Sequence, residues 1–286
     1  MSKIELGEKP ISVNWHFWPW CNMKCQFCFS RFENQKEILP KEKALLVPGL
    51  LKNAGTEKIT LVGGEPMLCP YIDELLIESK KQGLVTKIVS NGTNITKEFL
   101  EKNHSYIDIL SLSIDSSYER IERLLGRGFG NYVHRIKSIA KLIQEYNISF
   151  QLNTVVTKFT WQEDMHKLIN ELQPTRWKIF QILPVKREND GRVDSLVITP
   201  SEYKTFCEKH SDIPQAIFED NELMKGSYIM LDPVGKFFHN TTGKIEYSKS
   251  IFDIGVLPAF QQILWDNKKF LARKGIYNWK SKGNRI

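Results

Sequence analysis

Five stretches of this chain alternate apolar and polar residues with period two, and that alternation limits the fold more than any other feature. Successive side chains in a β-strand point to opposite faces of the sheet. Ser12, Asn14 and His16 share one face against Val13, Trp15 and Phe17, and Lys58 and Thr60 oppose Ile59 and Leu61. Ser111, Ser113 and Asp115 oppose Leu110, Leu112 and Ile114. Gln151 and Asn153 oppose Phe150 and Leu152, while Arg176 and Lys178 oppose Trp177 and Ile179. The expected strands are Ile11–Trp18, Lys58–Val62, Thr86–Asn91, Asp108–Asp115, Ile148–Val156 and Arg176–Leu183. Between them, Tyr71–Gln82, His134–Tyr146 and Glu163–Leu172 carry apolar residues at helical spacing. Strand alternating with helix in this way predicts an α/β fold of about six parallel βα units. Five strands with one polar face cannot all be sheet edges, and an open sheet with one bare face fits poorly with so many helices. A curved sheet with a wet interior, a full or partial barrel, satisfies both conditions.

After Leu183 the pattern changes. Pro184–Asp194 reads as a charged loop, Pro200–Lys209 as a helix and Tyr228–Phe238 as a strand, and the tail through Trp279 is basic and aromatic. The expected organisation is a polar N-terminal arm at 1–10, the barrel at 11–184, and an extension at 185–286 that packs on the barrel rather than folding alone.

Three of the five cysteines, Cys21, Cys25 and Cys28, fall in one loop directly after the first strand, while Cys69 and Cys207 stand apart. An odd number this small argues against a disulfide framework. Three thiolates from one loop can hold three irons of a four-iron cluster and leave the fourth iron open to another ligand. Zinc is the rival, and its structural sites want a fourth ligand, which would have to be His16, Cys69 or something remote. The net charge of +7, from 40 basic and 33 acidic residues, suits an anionic partner without requiring nucleic acid. A hydrophobic content of 41% excludes global disorder. No run approaches ~18 consecutive apolar residues. The first ten residues are polar and lack the apolar core of a signal peptide. A cytoplasmic protein with no membrane segment is therefore expected.

The loop Cys21-Asn-Met-Lys-Cys25-Gln-Phe27-Cys28 after a first barrel strand resembles the signature of radical S-adenosylmethionine (SAM) enzymes. The second strand ends in Gly63-Gly64-Glu65-Pro66, similar to the family segment that receives the methionyl amino group, and the third ends in Ser90-Asn91-Gly92, where the family also contacts SAM. Glycines there let the backbone approach a ligand closely. All these residues lie at C-terminal strand ends, where barrel active sites are built. The resemblance implies a partial (β/α)6 TIM-type barrel of the radical SAM type with a C-terminal extension. It also implies a [4Fe-4S] cluster on Cys21, Cys25 and Cys28, and SAM beside Phe27, Gly63, Gly64, Glu65, Ser90, Asn91, Ser113 and Arg127.

Further segments narrow the likeness to the viperin-like enzymes. They are Val13-Asn14-Trp15-His16-Phe17, Gly126-Arg127-Gly128-Phe129-Gly130, Asn153 to Phe159, Glu163-Asp164-Met165, Arg176 to Gln181 and Ser248 to Val256. The likeness runs from about residue 11 to residue 280 and takes in the extension. It implies conversion of a nucleoside triphosphate (CTP, UTP or GTP) to its 3′-deoxy-3′,4′-didehydro analogue, an antiviral chain terminator. In that reaction a 5′-deoxyadenosyl radical takes hydrogen from ribose C4′ and the 3′-hydroxyl leaves as water. Lys58, Arg176 and Lys178 match triphosphate-holding positions, Asn14 and Asn153 are expected nucleotide contacts, and Tyr228 matches a family tyrosine beside the substrate that could assist proton delivery. The strand alternation independently turns those three cations inward, and Arg adds bidentate phosphate recognition. Two interior positions depart from the animal enzymes. Gln151 stands where they have a lysine and Val62 where they have a serine, so CTP specificity does not follow. The amphipathic membrane helix of the animal proteins has no counterpart here. The expected partners are the nucleotide and a flavodoxin- or ferredoxin-type electron donor, with no nucleic acid and a monomeric chain.

Two other readings stand beside this one. A radical SAM enzyme acting on a peptide or another small molecule commonly carries extra C-terminal cysteine motifs, which are lacking after Cys207. A zinc protein binding RNA through its basic surface would use the Trp15, Trp18 and Trp20 cluster for stacking, although packing against helices is the expected role of tryptophans on such a strand. His16 is expected to be a satisfied interior histidine, Cys69 and Cys207 small buried residues, and Lys80-Lys81 and Lys268-Lys269 solvated surface.

Overall fold

A computed structural model describes residues 7–30 and 37–279; the remainder of the N-terminal arm and the lysine-rich residues 280–286 lie outside the described residues. One ten-stranded sheet runs through the chain. The strands are β1 (Ser12–Trp18), β2 (Lys58–Gly63), β3 (Val85–Ser90), β4 (Ile109–Ser113), β5 (Ser149–Val156), β6 (Arg176–Gln181), β7 (Ala216–Glu219), β8 (Ile229–Leu231), β9 (Lys236–His239) and β10 (Glu246–Ser250). Their order is β10-β9-β8-β1-β2-β3-β4-β5-β6-β7, so β7 and β10 end an open, unclosed sheet. The six expected strands pair in sequence order, all parallel. The segment after Leu183 adds parallel strands on both flanks, β7 on β6 and β8 on β1, and a hairpin beyond β8. It therefore extends the sheet as well as packing on it.

The alternation works as read. Val13, Trp15, Ile59, Leu61, Leu110, Leu112, Leu152, Trp177 and Ile179 are fully buried in one continuous apolar cluster with the helices. Among those helices, α1 (Lys41–Asn53), α2 (Ile72–Lys81), α5 (Tyr132–Gln144) and α6 (His166–Leu172) fill crossovers, with α3 (Lys97–Asn103) and the short α4 (Glu119–Leu124) beside them. Helix α7 (Pro200–Lys209) has the expected bounds. Thr199 and Glu202 form a reciprocal capping box and Pro200 fills the first turn, where its missing N–H has no intrahelical role. Helix α1 escapes a periodicity reading because Pro48 sits inside it, where proline ordinarily breaks helices. Helix α6 begins later than expected, because the Met165 N–H donates to His210 Nε2 before the helix starts. The single strand expected at Tyr228–Phe238 is instead the β8–β9 hairpin. Pro233 and Gly235 (φ 81°) turn the chain, and Asp232 Oδ1 accepts from the Val234 and Lys236 N–H groups. No helix among the described residues is long and apolar enough to cross a membrane.

The end of β2 is bound to the segment that leads into the cysteine loop. Gly64 N donates to Trp18 O (2.7 Å) and Glu65 N to Trp20 O (2.8 Å). A Cβ on Gly63 (φ 149°) would lie 2.4 Å from Trp18 O, and one on Gly64 would lie 2.3 Å from Trp20 O. The group that comes close to these glycines is thus the chain's own backbone. The Trp20 carbonyl cannot move without breaking its hydrogen bond from Glu65 N, so Gly64→Ala is expected to cost about 3 kcal/mol of stability or more. Urea denaturation checks this: the midpoint should fall with the slope unchanged, and a variant matching wild type would show that the two segments separate freely.

Candidate active site

The inward faces of β1 to β6 surround a cavity of about 340 Å³, within the ordinary range for a small-ligand site. Every site residue expected from the sequence lines it except Glu65. Parallel pairing sorts them by height. The C-terminal strand ends carry Gly63, Ser90 and Ser113, and the cysteine loop follows β1. Lys58 and Arg176 open β2 and β6, with Lys178 two residues further along. From Lys58 to Gly63 the strand climbs roughly 16 Å at ~3.3 Å per residue. The cavity therefore has a thiol end and a cationic end, with Asn14, Thr60 and Asn153 between them.

At the thiol end, Lys24 N donates to Gly126 O (3.2 Å) and Gln26 N to Leu125 O (3.0 Å). Gly126 (φ 86°) is needed there, since a Cβ would meet Lys24 O at 2.3 Å. Cys21 is exposed, Cys25 buried and Cys28 intermediate, and Asn91 Nδ2 lies 3.8 Å from Cys21 Sγ. Burial pushes the Cys25 thiol up to about 12, so a bound metal must displace its proton. Among the described residues, the one group of three such donors with all ligand atoms within 4.8 Å is Asp164, His166 and His210. A single zinc at ~2.3 Å from each sulfur would draw three thiols to about 4 Å of one another. The three cysteine sulfurs are not drawn together in that way, which fits a cluster better than a single zinc.

Glu65 lies fully buried beneath the wall. Its carboxylate accepts from Ser90 Oγ (2.7 Å), Asn91 N (2.7 Å) and Met67 N (3.0 Å), tying the end of β2 to the end of β3. Burial raises its pKa against those hydrogen bonds. Arg127 is also committed: its Nε lies 2.8 Å from Asp115 Oδ2 and 3.5 Å from Glu122 Oε2, with the guanidinium 5.7 Å from the centre of the Phe27 ring. Burial and the neighbouring Asp115 push Glu122 up to about 8.

At the cationic end, Lys178 Nζ is 2.7 Å from Glu219 Oε1 and also donates to the Tyr228 hydroxyl, which in turn donates to Glu219. Burial lowers Lys178 to about 8, with Glu219 opposing the shift. Lys58 Nζ sits over the rings of Trp279 (4.4 Å) and Tyr277 (4.9 Å). Arg176 donates to the carbonyls of Lys274 (2.8 Å) and Arg273 (3.3 Å), while its buried Nε has no partner among the described residues. Asn153 Oδ1 is likewise buried and unpartnered there. Buried polar groups are normally hydrogen-bonded, so these two orphans mark where a ligand belongs.

Four wall or network residues are missing from the sequence reading. Lys87 sits in Val85-Thr-Lys-Ile-Val-Ser90, which does not alternate cleanly; Glu219 belongs to a four-residue strand too short to show any alternation; Arg273 and Tyr277 lie in the tail, whose basic and aromatic character is its one signal. His16 is a satisfied interior histidine, 2.7 Å from Ser30 Oγ and held neutral by burial, which lowers it to about 3. Trp15 is fully buried and donates to Asp232 O, and Trp18 stacks edge-on with the half-exposed Trp20. Cys69 is buried and Cys207 half-buried.

Comparison with known proteins agrees with this geometry. The model of the radical SAM superfamily matches residues 15–172. An S-adenosylmethionine-dependent nucleotide dehydratase of Flammeovirga pacifica is 42% identical over 98% of this chain and 100% of its own length. A protein of the same description from Lacinutrix mariniflava is 38% identical over 99% of this chain, which spans 61% of that relative. Among solved structures, SuiB of Streptococcus suis bound to the precursor peptide SuiA superposes with a TM-score of 0.72 at 16% identity, covering 94% of this chain and 67% of SuiB. That likeness speaks to the fold alone. Radical SAM enzymes carry a four-iron cluster and SAM, and the thiol end of the cavity has the donors for both. The chain belongs to the radical SAM superfamily and, within it, to the viperin-like S-adenosylmethionine-dependent nucleotide dehydratases.

Proposed function

We propose that this enzyme dehydrates a nucleoside triphosphate to its 3′-deoxy-3′,4′-didehydro analogue, with the phosphates at the cationic end and the ribose turned toward the cysteine loop. One observation carries the reading: an unpartnered buried donor, Arg176 Nε, and an unpartnered buried acceptor, Asn153 Oδ1, face one cavity that also holds the three thiols. A phosphate oxygen satisfies the first and a ribose hydroxyl the second.

Cys21, Cys25 and Cys28 would hold the cluster, with SAM beside Phe27, Gly63, Gly64, Ser90, Asn91 and Ser113. When bound, the two together supply the 5′-deoxyadenosyl radical that takes hydrogen from ribose C4′. The protein's own residues bind, orient and protonate. Lys58, Arg176 and Lys178 neutralise phosphate charge in a site where little water screens it. Asn14 and Asn153 fix the sugar. Glu65 acts on SAM from behind the wall by holding the ends of β2 and β3 together, and Arg127, on the cavity wall, braces the loop against Phe27. The Tyr228 hydroxyl keeps its proton far above its ordinary pKa because it is buried. Lys178 and Glu219 hold that hydroxyl in place, and it can deliver its proton to the departing 3′-hydroxyl once it gives up its hydrogen bond to Glu219. A one-electron donor of flavodoxin or ferredoxin type, a monomeric state and a reducing cytoplasmic setting complete the proposal.

An anaerobic assay with SAM, a reductant and each of CTP, UTP, GTP and ATP tests it. The expected result is 5′-deoxyadenosine in step with loss of water from at least one nucleotide; slow SAM cleavage that ignores every nucleotide contradicts it. Cys25→Ala should lose the cluster's visible absorbance and all turnover while keeping the wild-type far-ultraviolet circular dichroism. The pH profile follows from Lys178. A lysine lowered to about 8 is charged below that pH and neutral above it. The kcat/KM for the nucleotide should therefore fall as pH rises past about 8, with a shallower fall in Lys178→Arg, since Lys58 and Lys87 also sit well below the ordinary lysine value. Glu219→Gln leaves the buried Lys178 without its counterion and should cost about 3 kcal/mol in chemical denaturation.

A further inference from the structure

The cavity holds a cation that neither the strand alternation nor the family likeness assigns to the site. Lys87 is buried on β3 and lines the same wall as Lys58 and Arg176. Its backbone pairs with Ile109 of β4, and the side chain crosses that strand so that Nζ lies 2.7 Å from Gln151 Oε1 on β5. The β4 residue in register with Gln151 is Ser111, whose short side chain leaves the crossing open. Gln151 is itself steadied from the other side, its Nε2 lying 3.3 Å from the Tyr277 hydroxyl.

The surroundings of Lys87 are wrong for a merely structural lysine. An amide oxygen offers a hydrogen bond but no countercharge, and no described carboxylate lies within ion-pair distance of Lys87. The charged groups that face it are Lys58, Lys178, Arg176 and Arg273, together with Glu219, which is already paired to Lys178. Burial, then Lys178 and Arg176, push its pKa well below the ordinary lysine value. A buried ammonium among like charges is unfavourable unless an anion joins it.

We infer that Lys87, positioned by Gln151, is a triphosphate-binding residue of this enzyme. The inference rests on the proposed nucleotide reading and adds to it a specific division of labour: Lys87 contacts phosphate, and Gln151 acts only through Lys87.

Titration calorimetry on the full-length, cluster-loaded protein, with a nucleoside triphosphate and the matching monophosphate, tests this with a readout independent of turnover. Lys87→Met should weaken triphosphate binding about tenfold or more, while monophosphate affinity changes less than about threefold. The exchange variant Lys87→Ser/Gln151→Lys should regain triphosphate affinity to within about threefold of wild type. Unchanged triphosphate affinity in Lys87→Met overturns the inference, as does an equal loss for both nucleotides, which would mark a structural role. Without ligand, Lys87→Met should melt at or above the wild-type temperature, since a buried ammonium is removed. If that variant fails to fold, the exchange variant decides: retained triphosphate affinity supports the assignment and lost affinity overturns it. A wild-type protein that binds none of CTP, UTP, GTP and ATP would instead defeat the nucleotide reading beneath it.

Discussion

Uncompensated positive charge inside one lumen is the constraint around which this enzyme is arranged. Lys58, Lys87, Arg176 and Arg273 all face the cavity, and among the described residues none has a carboxylate within ion-pair distance. The one carboxylate among them, Glu219, is taken by Lys178 and Tyr228. Charges of one sign in a poorly hydrated space raise the free energy of the empty protein. Rings and carbonyls ease this in part: Trp279 and Tyr277 under Lys58, the Lys274 carbonyl on Arg176, the Tyr228 ring under Arg273. A fully ionised triphosphate carries about four negative charges, which matches the four cations. In the proposed reading, the same charge that weakens the empty fold favours a polyphosphate ligand.

The opposite end of the cavity depends on backbone rather than charge. The ends of β1, β2 and β3 are joined by the Gly64–Trp18 and Glu65–Trp20 hydrogen bonds and by the Glu65 carboxylate reaching Ser90 and Asn91. The cysteine loop leaves from this junction and is held on its far side by Leu125 and Gly126. A loop clamped on both sides can present three thiols without secondary structure of its own. Because the strands are parallel, this junction and the cationic floor lie at opposite ends of the same strands, and a nucleotide spanning them is directed by the sheet itself.

Much of this was legible in the sequence because period two reports directly on which face is wet. Every polar face read from Ser12 to Lys178 turned inward, and the cysteine spacing marked the thiol end. What stayed hidden has physical reasons. Strand β7 is four residues long, too short for alternation to register, and so Glu219 gave no sign of itself. Pro48 masked α1, and reading Tyr228–Phe238 as one strand passed over its Asp232-Pro233-Val234-Gly235 turn. Lys87 was the most instructive omission: a lone lysine in Val-Thr-Lys-Ile-Val-Ser reads as an edge residue until its neighbours across β4 are known. The Glu65 carboxylate shows the converse. The motif was visible, but only the fold reveals that its hydrogen bonds run to the next strand.

The proposed binding mode puts the phosphates at the cationic floor and ribose C4′ toward the cysteine loop. Supplying the preferred triphosphate deuterated at C4′, under anaerobic turnover with unlabelled SAM, tests this most directly. Mass analysis of the 5′-deoxyadenosine should show one deuterium per molecule formed. Nucleotide-dependent 5′-deoxyadenosine carrying only protium would mean that C4′ is not the atom presented to the loop, and the account of the lumen given above would be wrong.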